Sequence, residues 1–203
     1  ITKVEAIEIE TRKLIQFSNE ACNFGYRNSI FKNEAKGKYI LTSVSFKLTK
    51  KNHQLNTSYG AIEDKLAFNK IINPTLKNIS DAVIAIRNSK LPDPKKLGNS
   101  GSFFKNPIIS KQHFSALQTE HQNIPSYVIS DTEVKVPAGW LVEQVGFKGK
   151  RFGDTGVHKN QALVLVNYGN ASGTEIYQLS KKIQEMVYNK FKISLEIEVN
   201  IIN

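Results

Sequence analysis

Residues 162–201 read ALVLVNYGNASGTEIYQLSKKIQEMVYNKFKISLEIEVNI, and their patterning sets the fold class. Ala162–Asn167 is short, apolar and rich in β-branched residues, which suits a buried strand. Thr174 then stands as the cap of a long helix. Its apolar stripe is Ile176, Leu179, Ile183 and Val187, three or four residues apart. After the helix the period changes to two. Ile193, Leu195, Ile197, Val199 and Ile201 share one face of a last strand, while Glu196, Glu198 and Asn200 show on the other.

Working back toward the N-terminus, the same mixture continues. Pro137 at a first helical turn opens Ala138–Val145, which Gly146 ends. Tyr127–Ser130 and Glu133–Val136 form a hairpin across Asp131-Thr132. Ser110 caps a helix that turns Phe114 and Leu117 inward. Gly98-Asn-Ser-Gly-Ser102 reads as a glycine-rich loop. Before it, Asn78 caps a helix carrying Ile79, Ala82, Val83 and Ile86, and Leu91-Pro-Asp-Pro94 stops that helix and marks a domain boundary. The alternation of Ile40, Thr42, Val44, Phe46 and Leu48 predicts a strand. Val4, Ala6 and Ile9, then Leu14, Ile15 and Phe17, flank Thr11-Arg12-Lys13 as a strand pair. The order of elements is α+β, without internal repeats or low-complexity tracts.

Composition narrows the function classes. The 203 residues are enough for one large domain or two small ones, and 40 % hydrophobic content rules out disorder. No apolar run reaches the roughly 18 residues of a membrane-spanning helix. Cys22 stands alone, so a disulfide framework is impossible and a reducing compartment fits. It reads as a small core residue. The formal charge of +10 comes from 24 lysines and only 4 arginines, and residues 1–100 hold 17 of those 28 cations. A nucleic-acid reader favours arginine, whose planar fork meets phosphate and guanine bidentately. No run of five lysines and no aromatic-basic stacking signature is present, and a phosphate-bearing small ligand would use the same charge. The chain opens at Ile1, with Met186 its sole methionine, and is therefore read as a possible fragment.

The candidates for chemistry are few. In Gly98–Pro107 successive amides around glycine can cup an anion, with Lys105 and Asn106 adding donors, against the plain reading of a linker turn. The Phe103-Phe104 pair, expected to be buried, argues for more than a linker. Ser102 has no histidine at nucleophile-elbow spacing, but a serine can donate a proton to a carbanion. Its alternative is an ordinary hydroxyl. Glu196 and Glu198 form either a solvated strand face or a cleft-lining acid, and the alternation does not separate them. His53, His113, His121 and His158 lack metal spacing, and His113 and His121 fall on the exposed side of their helix. Phe24–Lys32 mixes tyrosine, arginine and lysine in one loop, a set that suits a pyrophosphate and a ring.

Six segments in order carry a resemblance: FGYRNSIFK (24–32), IRNSKLPDPK (86–95), GNSGSFFKNP (98–107), AGWLVEQVGFKG (138–149), VHKNQALVLVN (157–167) and LEIEV (195–199). They cover nearly the whole chain. It resembles the UDP-N-acetylenolpyruvoylglucosamine reductases, flavoenzymes of bacterial, cytoplasmic peptidoglycan synthesis, in the subtype with a tyrosine-bearing substrate loop. The resemblance implies FAD and NADPH as cofactors and UDP-N-acetylglucosamine enolpyruvate as substrate. It implies the tail of an FAD-binding domain at residues 1–91, a substrate domain at 92–190, and a final strand at 191–203 returning toward the active site. By resemblance Ser102 is the proton donor, and Glu198, the second glutamate of LEIEV, helps stabilise the enol. Tyr26, Lys90, Asn106, Tyr127 and Lys148 match diphosphate-holding positions, Gln161 a contact on the uridine side, and Arg87 a place near the flavin ring. The family's FAD pyrophosphate segments and a catalytic arginine match nothing here. The chain alone is therefore expected to bind FAD weakly or not at all and to lack reductase activity, with the missing N-terminal part a possible partner. The alternatives are a module that keeps only UDP-sugar binding and a basic nucleic-acid binder.

Overall fold

The computed structural model describes residues 1–58 and 60–202. The chain divides into two compact units, Ile1–Asn56 and Thr57–Asn203.

In the first unit the expected strand pair is β1 (Lys3–Glu8) and β2 (Leu14–Ser18), antiparallel with Val4 opposite Phe17. Arg12 takes a left-handed conformation (φ 57°) in the connecting turn. β3 (Tyr39–Ser45) pairs with the other side of β1, giving the order β2-β1-β3. It is shorter than the alternation through Leu48 suggests. Its pairing with β1 ends at Lys3 opposite Ser45, and among the described residues no strand lies opposite Phe46 and Leu48. Val4, Ala6, Cys22 and Ala35 are buried, and Phe17, Phe31 and Tyr39 meet edge to face.

The second unit starts with α1 (Ile62–Phe68) and α2 (Leu76–Lys90), which close a small core around Ile62, Leu66 and Ala82. The cap of α2 is Thr75, not Asn78. The Thr75 hydroxyl accepts from the Asn78 amide at 3.2 Å, and the Asn78 side chain accepts from the Thr75 amide at 2.9 Å. Asn78 is thus the reciprocal member of a capping box, a part its side chain plays as well as a cap would. Leu91 is extended before Pro92, as a pre-proline residue must be.

Then follow β4 (Gly98–Ser102), β5 (Ile108–Ser110), α3 (Lys111–Glu120), β6 (Tyr127–Val128), β7 (Glu133–Lys135) and α4 (Ala138–Gln144). The chain continues with β8 (Arg151–Phe152), β9 (Thr155–Val157), β10 (Val164–Asn167) and α5 (Gly173–Phe191). One antiparallel sheet runs β4-β10-β9-β8, and a second runs β5-β7-β6. The main core joins Phe103, Phe104, Leu141, Leu165, Ile183 and Phe191 from both sheets' loops and the helices. The expected hairpin, the Ser110 cap and the ALVLVN strand are all present. Two helix starts shift. Ser172, not Thr174, caps α5, in a second capping box with Glu175. Pro137 lies just outside α4 as its cap, at φ −63° and ψ 115°. Among the described residues no helix is long and apolar enough to cross a membrane.

The last segment keeps its alternation but is hardly a strand. Ile193 and Leu195 are buried, Ile197 and Val199 pack against the core, and Ile201 is half exposed. Its pairing reduces to one antiparallel bridge, Phe104 with Ile197. The partner has only Phe103–Lys105 to offer before Pro107, which has no N–H to donate.

Candidate functional site

Gly98–Ser102 is not a loop. Gly98, Asn99 and Ser102 stand opposite Asn167, Val166 and Val164, and the register shifts between Val164 and Val166. Ser100 and Gly101 therefore face Leu165 together, a β-bulge with Gly101 in the left-handed region at φ 76°. The Gly101 amide donates to the Asn99 side chain at 3.0 Å. The run of amides expected to cup an anion is divided between this turn and the ladder. What the glycine provides instead is the kink that aims Ser102.

Beyond the bulge, Phe103 belongs to two pairings. Its amide donates to the Leu163 carbonyl at 2.8 Å, and its carbonyl accepts from the Glu198 amide at 2.8 Å. The Lys105 amide donates to the Glu196 carbonyl at 2.9 Å. The C-terminal segment thus borders the strand that carries Ser102. Phe103 and Phe104 are buried as expected, and Ser102 is half buried. The two glutamates now separate. Glu196 is 69 % exposed and ion-paired with the Lys105 ammonium, so Lys105 is not a spare anion donor. Glu198 is half buried beside Phe103.

Other residues singled out from the sequence gather by a chain of contacts. The Asn106 carbonyl oxygen accepts from the Ala138 amide at 2.9 Å, which fixes its side-chain amide at the start of α4. A methyl group on Gly139 would lie 3.5 Å from the Gln161 side-chain oxygen, so Gln161 rests against the same helical turn. Lys148 reaches both carboxylate oxygens of Glu143 at 2.9 Å, and the following Gly149 packs on Lys159. The Asn160 side chain donates to the Ser89 carbonyl at 3.2 Å, which brings the end of α2, with Lys90, to the 158–161 turn. Tyr127 is exposed on β6, in register with Lys135, whose ammonium stands 5.6 Å above its ring. Tyr26 belongs to the first unit, exposed in the Phe24–Lys32 loop.

Two histidines expected on an exposed face are half buried. His113 Nε2 donates to the Phe191 carbonyl at 3.0 Å, closing the C-terminal end of α5, and the His121 ring packs 5.1 Å from Phe191 and 6.0 Å from Trp140. The helical period marks which side they lie on. It gives no sign that α5 ends against that side. His158 is a residue to which the sequence assigned nothing. Its amide donates to the Val164 carbonyl at 2.9 Å, and Val164 stands opposite Ser102. Burial, then the neighbouring Lys159 ammonium, hold its imidazole below the usual histidine range.

Arg87 lines a groove of about 360 Å³ with Asn88, Leu91, Pro92, Asp93 and Pro94. Its lining combines one guanidinium with a leucine and two prolines, a set that fits the anionic edge of a flat ring and no more of a larger cofactor.

Two antiparallel sheets packed with helices define an α+β protein, with the C-terminal segment bonded to the residues that follow Ser102. The family domain described as UDP-N-acetylenolpyruvoylglucosamine reductase, C-terminal domain, matches residues 93–202. The chain belongs to the UDP-N-acetylenolpyruvoylglucosamine reductase family. The enzyme of that name from Flavobacterium johnsoniae is 64 % identical over 197 residues, covering 97 % of this chain and 58 % of that protein. Its counterpart from Amoebophilus asiaticus is 48 % identical over 199 residues, covering 98 % and 58 %. The chain thus spans about 58 % of the length of these curated relatives. The crystal structure of UDP-N-acetylenolpyruvylglucosamine reductase (MurB) from Thermus caldophilus shares the fold, with a TM-score of 0.57 at 22 % identity, over 98 % of this chain and 52 % of that one.

Proposed function

We propose that this chain supplies part of a cytoplasmic bacterial reductase that uses FAD and NADPH to saturate the enolpyruvyl double bond of UDP-N-acetylglucosamine enolpyruvate, in peptidoglycan precursor synthesis. The observation that supports this reading is the Glu198–Phe103 backbone hydrogen bond, which brings the Glu198 backbone beside the residue that follows Ser102. When bound and reduced by NADPH, FAD would supply hydride to the substrate. Negative charge then grows on the carboxylate-bearing carbon and its oxygens, and a donor must be in place to meet it. Ser102 delivers its hydroxyl proton to that carbon, and Glu198 stabilises the enol. Asn106, Tyr127, Lys148 and Lys90 hold the diphosphate, Gln161 meets the uridine side, and Arg87 borders the flavin.

In this reading residues 1–91 belong to the FAD-binding domain, 92–190 to the substrate domain and 191–203 to the segment that closes the site. The isolated 203-residue chain, without the family's FAD pyrophosphate segments, binds FAD weakly or not at all and turns nothing over. A second reading keeps only UDP-sugar binding. The contacts that gather Lys90, Asn106, Lys148 and Gln161 around α4 favour it for the chain alone.

The test is Ser102→Ala in the full-length reductase. Flavin reduction by NADPH should stay within about twofold, while turnover of the enolpyruvyl substrate falls by roughly 10²–10⁴, the range for a lost general acid. Equal slowing of both steps would remove Ser102 from that role.

A further inference from the structure

The segment Leu195-Glu-Ile-Glu-Val199 has a hidden ambiguity. Its apolar residues alternate with two identical carboxylates, so a slip of two residues keeps the aliphatic side chains on the core-facing side and can put Glu196 where Glu198 stands. Pattern and burial alone do not choose between registers. In the observed one, Phe104 bridges Ile197, Lys105 lies beside Glu196, and Phe103 lies beside Glu198.

We propose that Lys105 and Glu196 form a positioning pair that fixes this register and thereby holds Glu198 beside Phe103, the residue that follows Ser102. The inference rests on the reading of Ser102 and Glu198 given above. Slipping the segment so that Glu196 reaches Phe103 would put Ser194 opposite Lys105. The lysine side chain, only 22 % exposed, would then lose its carboxylate. Slipping the other way would carry Asn200 to Phe103 and pull Leu195 off the Gln184 side-chain amide, which donates to its carbonyl at 2.6 Å. Either slip breaks the Gln184–Leu195 bond, and the first also strips Lys105 of its carboxylate. The ion pair is a weak contributor to stability where it is solvated. Its effect is one of choice between near-equal alternatives, where a small difference decides the populations.

The experiment uses the full-length reductase with Lys105→Met, Lys105→Arg, Glu196→Gln and the exchanged pair Lys105→Glu/Glu196→Lys. Two readouts are taken: amide hydrogen exchange at Glu198, and kcat with KM for the enolpyruvyl substrate. Lys105→Met and Glu196→Gln should speed exchange at Glu198 about tenfold and lower kcat about tenfold, with KM changed less than threefold. Lys105→Arg and the exchanged pair should return both toward wild type. Unchanged exchange at Glu198 in the single variants overturns the proposal. Faster exchange with unchanged kcat overturns it too, because the register would then not matter to the reaction. If the wild-type reductase fails to turn over the enolpyruvyl substrate, the functional reading falls, and the exchange measurement still decides whether the pair sets the register.

Discussion

The amide of Glu198 donates to the carbonyl of Phe103 at 2.8 Å, which joins the last segment of the chain to the residue after Ser102. A backbone bond of this kind fixes both neighbours without spending either side chain.

Glu198→Gln keeps the size of the side chain and removes its charge. In the full-length reductase it should lower kcat by about 10²–10³, the scale of losing one preorganised group at a developing negative charge. Binding of UDP-N-acetylglucosamine should be unaffected. Steady-state kinetics and calorimetry on the same preparation check both, and wild-type kcat would remove Glu198 from the chemistry.

Lys148→Ala and Tyr127→Ala address the nucleotide-sugar. A hydrogen bond to a charged group contributes about 1.5–3 kcal/mol, so Lys148→Ala should weaken UDP-N-acetylglucosamine binding roughly tenfold or more. Calorimetry with the 203-residue chain alone separates the two functional readings. Binding that persists without FAD marks a module competent on its own, and no binding assigns recognition to the assembled protein.

Gly101→Ala tests the bulge. A methyl group there meets nothing within 4 Å, so the cost is the left-handed backbone alone, about 1–2 kcal/mol. Gly101→Asn should cost less, since asparagine tolerates that region. Urea unfolding of both variants gives the comparison, and equal stability of all three forms would mean that the strand straightens without penalty.

The fold's pH response should carry the signature of His158. Its pKa in the folded chain lies below the ordinary value of about 6.5. As pH falls through that value, the unfolded chain takes up a proton that the folded chain resists, so stability is lost until the lower folded pKa is passed. Melting temperatures between about pH 8 and 5 should decline less steeply in His158→Gln than in the parent. Identical slopes would assign the decline to other groups.

Much of this architecture is legible in the sequence. Period two and period three-to-four locate β1, β2, α2, α3 and α5, because each buries one face and a buried face must repeat, while the ALVLVN strand reads from its unbroken apolar run. Boundaries were less secure. At α2 and α5 the true caps, Thr75 and Ser172, sit next to other residues able to cap, and only the reciprocal bonds choose between them. The Gly98–Ser102 strand was hidden by its own bulge, since glycine and serine advertise a turn and the partner strand lies far along the chain. The roles of Lys105 and Glu196 were out of reach for a similar reason. Their meeting spans 91 positions, and no local pattern records it.

That same span bears on how the molecule comes to work. Contacts between distant parts of a chain form after local ones, since closing a long loop costs entropy before any reward arrives. A refolding population should therefore regain its helices first and reach a state with every helix in place and the Ser102–Glu198 neighbourhood still apart. The joining of Phe103 to Glu198 would then lag behind the return of helical shape.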